Sequence, residues 1–368
     1  ANSAPVITSN GGGANAGIGI TENTTTVSTV SATDANGDSL TNSIVGGVDS
    51  SRFTINGTSG VLTFVAAPDF EAPSDSGGNN VYDVIVQVSD GAGGTDTQSI
   101  SVTVSDGNDA PVLDNSGVMS LTTITEDDVN SAGDLISAII ASGGGDRITD
   151  VDTGAMEGIA VSGVTGSNGI WQYNTGAGWT DVEAVSSTSA LLLRANDSLR
   201  FVPNGTSGDT GTILFQAWDR TTGTAGTKGD SSVSGGATAF SDQMEVAVIT
   251  VTSINDAPSG SDKTITINED ATYALTAADF GFTDVDGNSF NRVWIMTLPG
   301  AGPLNYNGST FAANNWILTS DIDLGLLTYE PATNGNGAGY ASFEFQVQDN
   351  GGTANGGVNR EPSSNTIS

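Results

Sequence analysis

Three short acidic loops carry the residues with the plainest chemical potential. They read TDANGD at 33–38, TDVDTG at 149–154 and TDVDGN at 283–288. Asp34, Asn36 and Asp38 stand at alternate positions, as do Asp284, Asp286 and Asn288, while Asp150 and Asp152 keep the first two places. A tight turn with oxygens at i, i+2 and i+4 aims several of them at one point, which suits a hard cation. Two carboxylates about 4 Å apart repel by about 1–4 kcal/mol, so such a convergence needs a counter-charge. The 368-residue chain has 42 acids against nine bases, a formal charge of −33, and Lys228 and Lys263 are its only lysines. Protein cations cannot neutralise every cluster. A divalent ion can, and a set of six to eight oxygen ligands describes Ca²⁺ better than the stricter octahedron of Mg²⁺.

A single loop Asp usually ends a strand or bonds its own backbone. Recurrence is what separates these. The segments NSAPV (2–6), SDGNDAPV (105–112) and SINDAPSG (253–260) mark three joints at Pro5, Pro111 and Pro258. Between joints the same events follow in the same order. An early strand ends in Glu22, Glu126 or Glu269; the acidic loop follows; then come GVLTF, DSLRF or GLLTY. A later strand closes on Asp90, Asp219 or Asp349. An internal repeat of this kind predicts three modules, 1–109, 110–256 and 257–368.

The elements that must position these acids are strands. In YDVIVQVSD, Tyr82, Val84, Val86 and Val88 share one face and Asp83 and Gln87 the other. Phe343, Phe345 and Val347 repeat the pattern against Glu344, Gln346 and Gln348. Short alternating runs between Gly, Asn, Asp and Ser clusters predict an all-β chain of tandem antiparallel sandwiches. The one helix-like stretch is near 130–140, and 220–240 reads as a long surface loop. Pro at each joint cannot extend the preceding ladder, so it ends one module and starts the next in an extended path. In the third module the strand after Asp349 only begins, with NTIS at 365–368, so the last strand is expected to be incomplete. A longer parent chain, or a neighbouring chain by β-augmentation, would complete it.

Composition excludes much else. The negative charge rules against nucleic acid and anionic membrane surfaces as partners. With no Cys and no His, disulfides, thiol chemistry, zinc sites and His-based triads are out of reach. No run approaches the ~18 apolar residues of a membrane span, so no membrane insertion is expected within this segment, and an export signal or anchor would lie outside it. Acid pairs serve glycoside hydrolysis, but an active site does not recur at every boundary, and the expectation is that the chain is not an enzyme.

Taken together, the Glu at the first strand's end, PDFE with Asp69 and Glu71, the D-x-D loop, the strand-ending Asp and the N-D-A-P joint resemble cadherin-like repeats. The first module follows that order almost throughout, and the other two are similar to the divergent repeats of very large bacterial surface proteins and adhesins. The resemblance implies Greek-key, Ig-like sandwiches in an extended rod, with Ca²⁺ at the junctions. At the first junction it implies Glu22, Asp69, Glu71, Asp106, Asn108 and Asp109 from below, with Asp150, Asp152 and Asp219 from above. At the second it implies Glu126, Asp256 and Asn255, the last through its carbonyl, with Asp284, Asp286 and Asp349. Modules two and three lack an acid-x-Glu segment, having RFVPNG and TYEPAT there. The resemblance also implies Asp34, Asn36 and Asp90 as metal ligands at the worn joint NSAP, which has lost its Asp, so that binding there is expected to be weak or to need an upstream partner.

The functional expectation is a calcium-rigidified structural or adhesive extender of a secreted or cell-surface bacterial protein, able to form filaments. Its partners would be neighbouring repeats of the same or identical chains, with surface glycans or matrix proteins as targets. The alternative is a carbohydrate- or protein-binding module using Trp171, Tyr173 and Trp179 of GIWQYNTGAGWTD. Aromatics at i, i+2 on a strand more often pack a core.

Overall fold

The computed structural model describes residues 1–368 as an all-β chain with three separate main cores. Twelve residues between Ile7 and Val104 form one, twenty between Leu113 and Val251 a second, and thirteen between Leu275 and Ile367 a third. A satellite cluster around Trp218 and Phe240 packs within the second stretch.

In the first stretch, Val81–Ser89 buries Tyr82, Val84, Val86 and Val88 as the alternation requires. Each such side chain contributes about 1.5–3 kcal/mol of burial. Thr95–Ser105 pairs antiparallel with it across the turn that follows Asp90, and Asn15–Thr21 then pairs parallel to Thr95–Ser105 over its whole length. The sheet order is Asn15–Thr21, Thr95–Ser105, Val81–Ser89, Thr41–Gly46. A facing sheet holds Thr26–Thr29, Val61–Phe64 and Phe53–Ile55. The chain passes between the sheets in Greek-key order, and Phe53, Phe64 and Tyr82 stack edgewise in the middle.

The second stretch enlarges the same plan. Met119–Ser120 and Ile124–Thr125 run parallel to Phe240–Thr252, which pairs with Asp209–Trp218 and, beyond it, Gly158–Thr165. The opposite sheet centres on Ser198–Pro203 and Gly169–Asn174. The helix-like stretch is Ile136–Ser142, whose Ile136, Ile139 and Ile140 at i, i+3, i+4 face the core. The 220–240 segment is a succession of turns with one two-residue strand, Lys228–Gly229.

In the third stretch, Phe290–Ile295 lies between Asn315–Leu318 and Phe343–Asp349. The final strand, Asn365–Ile367, is three residues long against eleven for Thr95–Ser105. A second short helix, Thr319–Asp323, was not legible from any helical period in the sequence.

Candidate metal sites at the module boundaries

The joints are held by the same hydrogen bonds three times. Asn2, Asn108 and Asn255 each donate a side-chain amide to the Asp that closes the later strand. Asn2 reaches Asp90 at 2.6 Å, Asn108 reaches Asp219 at 2.9 Å, and Asn255 reaches Asp349 at 3.4 Å. The next backbone N–H in each joint donates to the middle residue of the acidic loop. Ser3 reaches Asn36 Oδ1 at 2.8 Å, Asp109 reaches Asp152 Oδ2 at 3.0 Å, and Asp256 reaches Asp286 Oδ2 at 2.7 Å. The worn joint therefore keeps its geometry, because a backbone donor does the binding and the missing Asp side chain is not needed for it.

Glu22 and Glu126 are buried beneath the joints. Glu22 accepts from Gly107 and Phe70 N–H at 2.8 and 2.7 Å, and Glu126 accepts from Ile254 N–H at 2.5 Å. The turn after the strand-ending Asp is packed on it as tightly. A Cβ on Gly94 would stand 2.1 Å from Asp90 Oδ2, and one on Gly351 would stand 1.5 Å from Asn255 Oδ1.

These bonds gather carboxylates from both sides of each joint. At the first, Glu22, Asp69 and Glu71 form one group with oxygens within 4.8 Å of one another, and Glu71, Asp109 and Asp152 form a second. Asp150 adjoins Asp152, whose N–H it accepts at 2.9 Å, and Asp219 is reached through Asn108. At the second joint, Glu126, Asp256 and Asp286 converge likewise. Asp284 and Asp349 lie beside them around Asn255, whose backbone carbonyl accepts from Val358 N–H at 2.7 Å. Ahead of the first module, Asp34, Asp38 and Asp90 form a further group. Asp106 is exposed and belongs to none of the groups, although its charge reaches Glu71.

The cost of this convergence is visible in the carboxyls. Burial first, then the charge of Glu22, holds Asp109 above the usual aspartate range. Asp150 is raised by burial, with Asp152 and Asp219 adding repulsion. Asp256 is raised by burial and then by Asp286, Asp127 and Glu126. Asp349 is raised by burial, with Asp284 adding to it. Glu71 is exposed along most of its side chain, yet partial desolvation and then Glu22, Asp106 and Asp109 raise it as well. Asp90 goes the other way, lowered chiefly by the amide of Asn2.

No base relieves the repulsion. The four ion pairs are Arg147–Asp114, Arg194–Asp197, Lys228–Glu183 and Lys263–Asp279, and none lies at a joint. Instead, Asp34 Oδ2, Asp150 Oδ2, Asp152 Oδ1, Asp284 Oδ2 and Asn108 Oδ1 are buried oxygens without a hydrogen-bond partner. Buried polar atoms are satisfied as a rule, so five orphans within one recurring motif leave acceptor capacity that a positively charged ligand would satisfy. A hard divalent ion fits that donor set: all oxygen, mostly anionic, from several loops.

Sequence reasoning passed over some participants. Asp38, read from the sequence as the i+4 oxygen of its loop, joins Asp34 and Asp90, but two further acids carried no such sign. Asp146 and Glu157 line a cleft of about 260 Å³ with Asp150, Asp152 and Asp219, and burial followed by Asp146 raises Glu157. Neither has a spacing signal in the sequence.

The aromatic candidates need correction. Trp171 is 4% exposed, stacks edgewise on Phe201 and donates its indole N–H to Thr165 O at 2.7 Å, so no ring face is open to a ligand. Tyr173 packs on the same core and bonds Gly226 O. Trp179 is half-buried with the Arg200 guanidinium 4.2 Å over its ring. Alternation put Trp171 and Tyr173 on one face, and that face is the inner one.

Repeated two-sheet modules with a parallel first-to-last strand pair define an Ig-like β-sandwich class. The chain belongs to the bacterial Ig domain family, whose profile matches residues 2–103 and 255–360. Among solved structures, it is similar to the EC3–6 cis-dimer of protocadherin gammaB7. The identity is 15% and the TM-score 0.44, covering 99% of this chain and 73% of that one. Mouse cadherin-23 EC22–24 matches at 14% identity and TM-score 0.44, covering 100% and 98%. Human protocadherin-24 EC1–2 matches at 17% and 0.37, covering 69% and 99%. No curated protein matches the chain.

Proposed function

We propose that residues 1–109, 110–256 and 257–368 are three sandwich modules of a calcium-stiffened structural or adhesive extender in a secreted or cell-surface bacterial protein. No helix is long and apolar enough to cross a membrane, and the reading assigns no catalysis. The observation that carries it is the meeting of acids from successive modules with orphaned oxygens and no base between them. Bound calcium would supply the positive charge that makes this meeting favourable. The chain's own part is to aim the ligands. Buried Glu22 and Glu126 anchor the joint backbone, Asn108 and Asn255 tie it to Asp219 and Asp349, and Asp152 and Asp286 receive its next N–H.

With two acid groups sharing Glu71, the first joint would hold more ions than the second, which has one group. Extracellular calcium near millimolar would fill sites of about 10⁻⁴–10⁻³ M. Partners under this reading are neighbouring repeats in the same or identical chains. Calorimetric titration of calcium into chelator-treated protein tests it. Heat is expected at both joints, and the Asp150→Asn/Asp152→Asn variant should lose the first-joint share alone. Absence of any binding at millimolar calcium would sink the proposal.

A further inference from the structure

The outer face of a sheet in the third module carries a basic platform that the joints do not use. In Phe290–Ile295, Val293 and Ile295 are buried in the core, so Arg292 and Trp294 point outward. By the same alternation Trp316 shares that face, beside buried Ile317, and so do Gln346 and Gln348, beside buried Phe345 and Val347. Register sets them in two rows. Trp316, Trp294 and Gln346 lie directly across three adjacent strands, and Arg292, Gln348 and Arg360 form the next row.

The two indoles pack edge to face with ring centres 5.0 Å apart. The Arg292 guanidinium lies 4.4 Å from the Trp316 ring centre, and that of Arg360 lies 5.3 Å from Trp294 and 5.5 Å from Trp316. Arg292 Nε donates to Gln348 Oε1 at 2.5 Å, while Arg360 donates to Gln346 Oε1 through Nη2 and through Nε at 2.8 Å. Both glutamines are only 6% exposed, yet their side-chain NH2 groups donate to nothing within the protein. Arg200, stacked on Trp179 in the second module, is the instructive contrast. It is 8% exposed, and all three of its nitrogens are bonded, to Gln172, Asn130 and Ser131. Arg200 is packing. In the third module both Nη atoms of Arg292 and Nη1 of Arg360 have no acceptor, and neither residue belongs to an ion pair. Arg360 is exposed and Arg292 half-buried. In a chain with 42 acids against nine bases, two neighbouring guanidiniums without a carboxylate leave donor capacity that an anionic ligand would satisfy.

We propose that this face binds an acidic saccharide, a sugar chain whose uronate carboxylates seat on Arg292 and Arg360. A guanidinium fork matches a carboxylate in a bidentate pair. Stacking on indole, with one edge held by glutamine, sets that fork before the ligand arrives and so lowers the ordering cost. The free NH2 groups of Gln346 and Gln348 donate to sugar hydroxyls, and the half-exposed indole edges support the C–H side of a pyranose ring. One exposed ion pair is weak, so affinity comes from carboxylates repeated along the sugar chain. None of the joint acids takes part, and the site is independent of calcium.

NMR titration of the protein in chelator with a short oligogalacturonate tests this, and the chelator removes any calcium bridge. The indole N–H signals of Trp294 and Trp316 and the Nε–H signals of Arg292 and Arg360 should shift together and saturate. Those of Trp171 and Trp218 should stay in place. Arg292→Gln and Arg360→Gln should each weaken binding about fivefold or more. The wild-type titration decides the matter even where a variant loses its fold. Silence at millimolar uronate overturns the proposal. So does an equal response to the neutral galactose oligomer, or a stronger one to oligoglutamate.

Discussion

Asn108 donates its side-chain amide across the first joint to Asp219, Nδ2 to Oδ2 at 2.9 Å, and the same amide reaches Thr238 O at 3.1 Å. One side chain thus fixes the closing Asp of the second module against the tail of the first. Asn2 and Asn255 do the same for Asp90 and Asp349. Replacing Asn108 with Ala strands the Asp219 carboxylate with Thr221 as its remaining partner. The expected loss is about 1–3 kcal/mol, read as a lower urea midpoint for the second module. An unchanged midpoint would show that the amide is idle.

Acidity should separate the metal-free from the calcium-loaded protein. Asp109, Asp150, Asp256 and Asp349 have folded carboxyls raised above the ordinary value of 3.8. Between that value and the raised ones, the folded state holds protons that the unfolded chain has released. Stability therefore falls as pH rises through this window and is regained as pH drops into it. With chelator, the melting temperature should rise on moderate acidification from neutrality. With calcium present, protons compete with the ion and the rise should vanish or reverse. A chelated protein that loses stability steadily from neutrality downward contradicts the account of the joints.

Asp279 behaves oppositely. It is buried at 2% exposure, and it is lowered despite that burial by Lys263, Thr276 and Tyr273, all of which donate to it. Its contribution is complete above the ordinary aspartate value and is lost as pH falls through the depressed one. Asp279→Ala leaves those donors without their acceptor, and a loss of about 2–4 kcal/mol is expected in the third module. Denaturant melts of the variant at neutral pH check this. A change within experimental error would show that the cluster is ornamental.

Much of this was legible in the sequence because it rests on period and recurrence. Tyr82 to Val88 alternate and are buried alternately, and the Asn-Asp-Ala-Pro joints stand where successive acid loops meet. What escaped notice depends on the backbone or on three-dimensional neighbours. The NSAP joint looked damaged, but Ser3 N–H makes the bond to Asn36 that Asp109 and Asp256 N–H make elsewhere. Trp171 looked like a platform because a strand period cannot say which face is inside. Asp146 and Glu157 flank the first-joint acids through loop folding alone. The parallel pairing of first and last strands spans most of each module, so no local pattern announces it.

Small-angle scattering with calcium and with chelator addresses the central claim most directly, since it reads inter-module rigidity in solution. A single extended length in millimolar calcium, giving way to a broad and shorter distribution on chelation, is the predicted result. Identical profiles in the two conditions would mean that the clustered acids at Asp109–Asp152 and Asp256–Asp286 need no metal to hold their modules in line.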